Sequence, residues 1–544
     1  MSSIINSAMS GLSAAQAALS TTSNNISNYT VAGYSRQTTL LSQAGSTLQG
    51  NSYYGNGVNV SGVQREYDEF ITTQLRGSSA SYSAVNTQHN QISNIDDLLS
   101  TSTTSLSTSI QSFFTNVQNV VSNANDPSAR QSMLSYAQGL VNQFQTTAQY
   151  LNNMQTSVNT DITASVDQVN TFTRQIADLN TQIAKLTTGG GAAPNDLLDQ
   201  RDQLVNSLNT VVGVKVAQQD GSYIVSAGNI TLVNGRNATS LVAMPSSADP
   251  TRITVGYSDK QAGNVAIPEK TLTTGSLAGL LAFRSQDLDG AQNQLGQLAA
   301  AFTTAFNDVH KGGFDSKGNP GEDFFTIGTP DVLSNLKNSS AASVSASWSD
   351  ASALKASNYT VSYDSGTWSV TRAADNVRFD VAPAADGTLN FDGLQLTVSG
   401  SANSGDSFLV KPVQNVIGGM SVAITSESEI AAAAVKGSGE SDNRNAQKLL
   451  DLQDSKLVNG NATIAQAYAS LVSSVGNKTN SLETASTTQK NVVTQLSDRQ
   501  QSVSGVNLDE EYANLTKYQQ FYMANAQVLQ TASAVFNALM GIRS

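Results

Sequence analysis

Two apolar stripes with heptad spacing lie near opposite ends of this sequence, and they limit what the chain can fold into more than anything between them. The first runs through Ile5, Ala8, Leu12, Ala15, Leu19, Thr22 and Ile26. Steps of three and four place such residues along one side of a helix. The second runs through Leu508, Leu515, Tyr518, Tyr522, Leu529, Ala532, Phe536 and Leu539. Glu511 and Asn525 interrupt it as polar residues able to fix register, and Gly541 is expected to end the helix. A one-sided stripe must be covered. The economical arrangement pairs the two extremities as a coiled coil. An uncovered pair is marginal in water, so it is expected to order fully when further copies supply the missing surface.

The first stripe runs into "SNNISNYTVAGYSRQ", residues 23 to 37. Asn and Ser side chains there can bond their own backbone and stop a helix. Gly33 supplies backbone freedom, and Tyr34 and Arg36 are placed to anchor the connector that follows.

Inside the ends lie further helical zones. Val169, Phe172, Ile176, Leu179, Ile183 and Leu186 keep the same spacing, as do Ile464, Tyr468, Leu471, Val475, Leu482, Ala485, Val492, Leu496 and Val503. Residues 66–160 read as mostly helical, with a break at Asn125–Ala129, where Asp126–Pro127 can begin a helix. "GGGAAPNDLLDQRDQL" reads as a loop and then a helix opened by Pro194 and Asn195, with Leu197, Arg201, Leu204 and Leu208 on one face. Residues 276–311 are a further helix. The middle alternates apolar and polar residues between Asp-Gly and Ser-Gly turns in "VGVKVAQQDGSYIVSAGNITLVNG" and across 341–413, a β pattern.

The nesting predicts a mainly α chain with inserted β domains. Residues 1–65 and 506–544 form an inner coiled-coil domain. Residues 66–211, 276–311 and 430–505 form a helical-bundle stem. Residues 212–275 and 330–425 form two outer β-rich insertions.

Composition narrows the function. Net charge is −12, only 13% of residues are charged, and cysteine is absent. No basic stripe offers itself to nucleic acid or to an anionic membrane. Thiolate metal sites, disulfides and a cysteine nucleophile are excluded. No apolar run reaches the roughly 18 residues of a membrane span. The first twenty or so residues carry no basic segment and no continuous apolar core, so they are not a cleaved secretory signal. A weakly charged polar surface repels its own copies little, which suits self-assembly.

The candidates for chemistry read as structural. His89 sits among polar residues of a helix. His310 closes a helix before Gly312-Gly313, where a cation is favourable. "DSKGNPGEDFF" (315–325) fails as a calcium loop, because Lys317 and Thr326 stand where ligands belong. The carboxylate pairs Asp287/Asp289, Glu322/Asp323 and Asp509/Glu510/Glu511 lack a supporting motif. No catalytic residue, metal site or cofactor is expected.

The turn at 23–37 resembles the motif after the first helix of bacterial flagellar axial proteins (rod, hook and hook-associated proteins), through Asn25, Ile26, Asn28, Gly33 and Tyr34. Ala32 stands where that family often has Pro. The last helix is similar too, through Asn507, Leu508, Glu511, Leu515, Gln519, Tyr522, Ala524, Asn525 and Leu539. "PNDLLDQRDQLVNSLN", "VQREYDEFITTQL", "TGSLAGLLAFRSQDLD" and "SDNRNAQKLLDLQ" resemble the hook-associated branch, which speaks against a hook or rod component. The resemblance implies a structural adaptor, not an enzyme: a homo-oligomeric ring of about eleven subunits outside the cell. The ring would contact the hook protein below and a second junction protein above. It also implies type III export without signal cleavage and a cytoplasmic chaperone on the C-terminal helix. The self-assembly seam would be Ile5, Leu12, Leu19 and Ile26 against Leu515, Tyr522, Leu529 and Phe536. The alternative is a secreted carbohydrate-binding or glycan-cleaving protein that uses the β insertions.

Overall fold

A computed structural model describes residues 2–100, 105–188 and 194–542. The chain is mainly helical, with long helices near both ends and several β-sheets in the middle. Its helices are α1 (Ser2–Asn28), α2 (Glu69–Ser100), α3 (Leu106–Ser122), α4 (Pro127–Thr187), α5 (Asn195–Val211), α6 (Ser276–Ala282), α7 (Asp289–Lys311), α8 (Arg444–Asp451), α9 (Ile464–Ser504) and α10 (Leu508–Ile542).

Helix α4 begins where its sequence says it should. Pro127 occupies the first turn, and the Asp126 carboxylate accepts the Ser128 amide at 2.8 Å. It then continues for 61 residues, about 90 Å at 1.5 Å per residue. The zones expected separately before 160 and after 166 are one helix, because nothing between them breaks the i→i−4 ladder. Val169, Ile176 and Ile183 are buried along it, while Leu186 is exposed. The glycine loop expected after it lies at 189–193, outside the described residues.

Residues 276–311 are helical as expected but not uniformly so. Phe283–Leu288 form a π-helical segment between α6 and α7. The wider turn shifts the buried face by one residue, which brings both Arg284 and Asp287 inside. Helix α10 also departs from expectation. It continues through Gly541 to Ile542, since an isolated helical glycine weakens a helix without stopping it.

The β regions follow their turn chemistry. Asp220-Gly221, Ser365-Gly366 and Asp392-Gly393 all have positive φ at both residues, the geometry of a two-residue hairpin turn. Lys215–Gln219, Ser222–Ala227, Ile230–Asn234 and Asn237–Ala238 form a meander. The outer part has a five-stranded antiparallel sheet in the order Asp331–Ser334, Ser407–Lys411, Tyr359–Asp364, Thr367–Arg372, Arg378–Val381. Beside it lies a three-stranded sheet of Ser343–Trp348, Leu394–Ser399 and Thr388–Phe391. Two β pairs were not expected: Gln37–Gln43 pairs antiparallel with Val58–Arg65, with a bulge at Leu40/Leu41, and between them Thr47–Gln49 pairs with Ser52–Tyr54. The longer ribbon lies against α1, inside the segment read from sequence as coiled coil. Gln37–Gln43 shows no alternation, with Thr38-Thr39 and Leu40-Leu41 side by side, and only Val58 and Val60 alternate in its partner strand.

Among the described residues, a continuous apolar core runs from Ile92 to Leu482 and includes nothing from α1 or α10. At its heart Phe113, Phe114, Phe302, Phe306, Phe324 and Phe325 pack with ring centroids 4.7–6.4 Å apart. Helices α2 and α9 run antiparallel beside it, tied by Tyr468 to the Leu99 carbonyl at 3.3 Å and by Gln500 to Thr72 at 3.1 Å. No described helix is long and apolar enough to cross a membrane.

Candidate assembly interface

Helices α1 and α10 pack antiparallel, with Asn25 against Glu511 at one end and Gly11 against Asn525 further along. The surface they share is made of small residues. Ala8, Gly11, Ala14, Ala15, Ala18 and Thr22 are buried on α1, and Ala532 on α10. A Cβ on Gly11 would come within 2.4 Å of the Asn525 side chain, so the helices approach closely there.

The larger apolar residues of the expected seam sit around this ridge. Ile5, Leu12, Leu19, Ile26, Leu515 and Leu529 are partly buried. Tyr522 and Phe536 are 41% and 49% exposed. They are joined by exposed Ile4, Met9, Phe521, Met523, Val528, Val535, Leu539 and Met540. Ile4, Met523, Val528, Ala532 and Val535 line an apolar groove of about 580 Å³. So much exposed apolar surface on one pair of helices marks an interaction surface.

The turn fixes the other end of the pair. Asn28 Nδ2 donates back to the Asn24 carbonyl at 2.9 Å and Ser27 Oγ to the Ser23 carbonyl at 2.8 Å, and α1 stops. Gly33 then adopts φ +83°, where an L side chain is strained. The reversal brings Tyr34 back over α1, where its hydroxyl donates to Asn25 Oδ1 at 2.7 Å. Asn25 is used in full: its Oδ1 also accepts the Gln37 amide at 2.9 Å, and its Nδ2 donates to the Gln37 carbonyl at 2.8 Å and to Glu511 Oε2 at 3.1 Å. Arg36 Nε donates to Glu511 Oε1 at 2.8 Å, and its Nη1 reaches Glu510 at 2.8 Å. Burial, then Asp199 and Glu511, push the Tyr34 phenol up to about 12, so it remains a hydrogen-bond donor.

A second polar cluster, which sequence reasoning missed, joins this end to the stem. Asp199 of α5 accepts from the Ser35 amide at 3.0 Å, the Ser35 hydroxyl at 2.8 Å and Arg65 at 3.0 Å. Arg65 also pairs with Asp202 at 2.7 Å, and Arg76 of α2 meets Asp202 at 2.9 Å. Burial opposes the charge on Arg65, but Asp202 and Asp199 outweigh it and its pKa is raised. A polar cleft of about 480 Å³ lies between the turn, α5 and α9. The available signal was Asp199 and Asp202 spaced one turn apart beside Arg201.

The other candidates for chemistry are structural. His310 is fully buried, accepts the Ala431 amide on Nε2 at 2.9 Å and donates from Nδ1 to the Glu322 carbonyl at 2.6 Å. Burial lowers its pKa, so it is a neutral crosslink rather than the cationic cap expected from its position. Asp315 closes its own loop by accepting the Lys317 and Asn319 amides at 2.8 and 2.7 Å. Asp287 takes a hydrogen bond from Gln88 at 2.7 Å, and Asp289 pairs with Arg252. No group of His, Cys, Asp and Glu among the described residues could hold a metal.

Comparison with known proteins agrees along the whole length. Residues 92–325 match the helical domain of flagellar hook-associated protein FlgK, and 333–412 match a D2-like domain of flagellar hook-associated protein 1. Residues 5–34 match the flagella basal body rod protein family, and 499–542 match the C-terminal family of basal body rod FlgEFG proteins. Flagellar hook-associated protein 1 of Escherichia coli is 58% identical over 547 residues, covering 100% of both chains. This chain belongs to the flagellar hook-associated protein 1 family. The Salmonella typhimurium member is likewise 58% identical, over 553 residues and 100% of both chains. The solved flagellar hook junction protein FlgK from Burkholderia pseudomallei superposes with a TM-score of 0.76 at 30% identity, covering 79% of this chain and 100% of that one. As a hook-associated protein 1, this chain is a structural part of the flagellum at the hook–filament junction. Nothing supports the glycan-binding alternative.

Proposed function

We propose that the chain is a non-catalytic ring subunit, about eleven copies of which form the adaptor between hook and filament outside the cell. The carrying observation is the uncovered apolar surface of α1 and α10 beside a core that excludes both helices. Neighbouring copies cover it, and the seam is Ile5, Leu12, Leu19, Ile26, Leu515, Tyr522, Leu529 and Phe536. Asn25, Asn28, Gly33 and Tyr34 set the entry angle of that rod. In this reading 1–65 with 506–544 is the inner domain, 66–211 with 276–311 and 430–505 the stem, and 212–275 and 330–425 the outer insertions. The hook protein and a second junction protein are its axial neighbours. Before assembly the chain leaves by type III export with an uncleaved N-terminus, and a chaperone shields α10.

Phe536→Asp tests the reading, because Phe536 is half exposed and stands outside the buried core. The variant should keep the parental thermal unfolding curve and fail to enter filaments in a complementation assay. Leu529→Asp should fail likewise. Normal filaments from both variants would remove the seam from the interface.

A further inference from the structure

The outer β part, residues 331–411, is joined to the rest of the molecule in two chemically different ways. One is an uncharged-backbone corner around Leu354, beside which Lys355 Nζ donates to Asn459 Oδ1 at 3.3 Å. Leu354 is buried, Gln297 of α7 donates to its carbonyl, and Gly296 leaves room for the close approach of the Val413 backbone. The other is ionic. Lys411 Nζ lies 2.6 Å from Asp249 Oδ2, with both residues buried, and the Leu336 amide donates to the Ser247 carbonyl at 2.8 Å close by.

The loop that carries Asp249 is independently fixed to the stem. Asn159 of α4 donates to the Thr251 carbonyl at 2.9 Å and accepts the Ile253 amide at 3.0 Å. Arg252 bridges Asp249 at 3.0 Å to Asp289, at the start of α7, at 2.5 Å. The Thr251 hydroxyl donates to Asp249 at 2.6 Å. If Lys411 withdraws, Asp249 therefore keeps Arg252 and Thr251. Among the described residues Lys411 has no such reserve, its ion pair being the one to Asp249. A buried ammonium without a counter-charge is expensive, and a lysine recovers its hydration by moving into water. Asp331, its cross-strand neighbour, is already exposed.

We propose that the Asp249–Lys411 pair is a releasable tether that sets the angle of the outer β part, with the Leu354 corner as its pivot. Release costs the stem side little and lets the outer sheets swing as a body. This device is independent of the assembly role of the terminal helices.

The chain has no cysteine, so Lys260→Cys and Ala385→Cys give two unique spin-label positions, one on each side of the tether. Pulsed dipolar spectroscopy on the full-length protein should show one narrow distance distribution. Adding Lys411→Met should at least double its width, and so should Asp249→Asn. Emission from Trp348 and Trp368 reports whether the outer sheets remain folded. Folded variants with parental distances would overturn the proposal. Unfolding of the outer sheets in both variants would overturn it too, because the pair would then hold the fold rather than the angle.

Discussion

Glu511 is the residue on which the order of the paired helices most depends. It is 1% exposed and accepts from Asn25 at 3.1 Å and from Arg36 at 2.8 Å. Glu511→Ala removes both bonds. Arg36 keeps Glu510, but that carboxylate is 57% exposed, and an exposed pair contributes about 0–1 kcal/mol. Losing charge-assisted bonds at a buried site costs about 1.5–3 kcal/mol each, part of which Glu510 and water restore. A net loss of about 3 kcal/mol follows, and Glu511→Gln, which keeps an acceptor, should lose about half of that. Amide exchange read by mass spectrometry on the monomer measures this directly. Where exchange follows local opening, 3 kcal/mol accelerates it roughly 150-fold. The effect should be largest near Asn25 and Tyr512 and fade toward Ile4 and Val535, where the groove is open. A change of less than threefold at the Asn25 end would refute the idea that this polar cluster clamps the pair.

Two further expectations concern the stem. Phe306→Ala opens a cavity against Phe113, Phe302, Phe324 and Phe325 and should cost about 3–5 kcal/mol, read as a lower thermal midpoint. His310 gives a pH dependence. Its folded pKa lies below the ordinary 6.5, so the unfolded chain takes up a proton first. Its contribution is therefore intact above about pH 6.5 and is lost as pH falls through the folded value. Urea midpoints between pH 8 and 5 should drop less steeply in His310→Gln than in the parent, although His310→Gln is the less stable of the two at pH 8.

The helical ends were legible because a heptad stripe survives any context, and the start of α4 was legible because Asp126 and Pro127 act locally. The three hairpin turns were legible for the same reason. The contact ridge of the terminal pair was legible in part. Ala8, Ala15 and Thr22 stood on the heptad stripe, whereas Gly11, Ala14 and Ala18, which complete the close contact, fall off that spacing and carry little hydrophobic signal. The Arg65–Asp199–Asp202 cluster was hidden by distance, since 134 residues separate Arg65 from Asp199. The role of His310 depended on a carbonyl and an amide that no side-chain pattern announces.

The bond between Asn25 and Glu511 closes a loop of 486 residues. Closure of so long a loop is slow and comes late, after short-range contacts have formed. The aromatic centre and the hairpins can therefore mature while the first helix still searches for its mate. During that interval α1 is unpaired, and whatever binds a lone amphipathic helix can compete for it before α10 arrives.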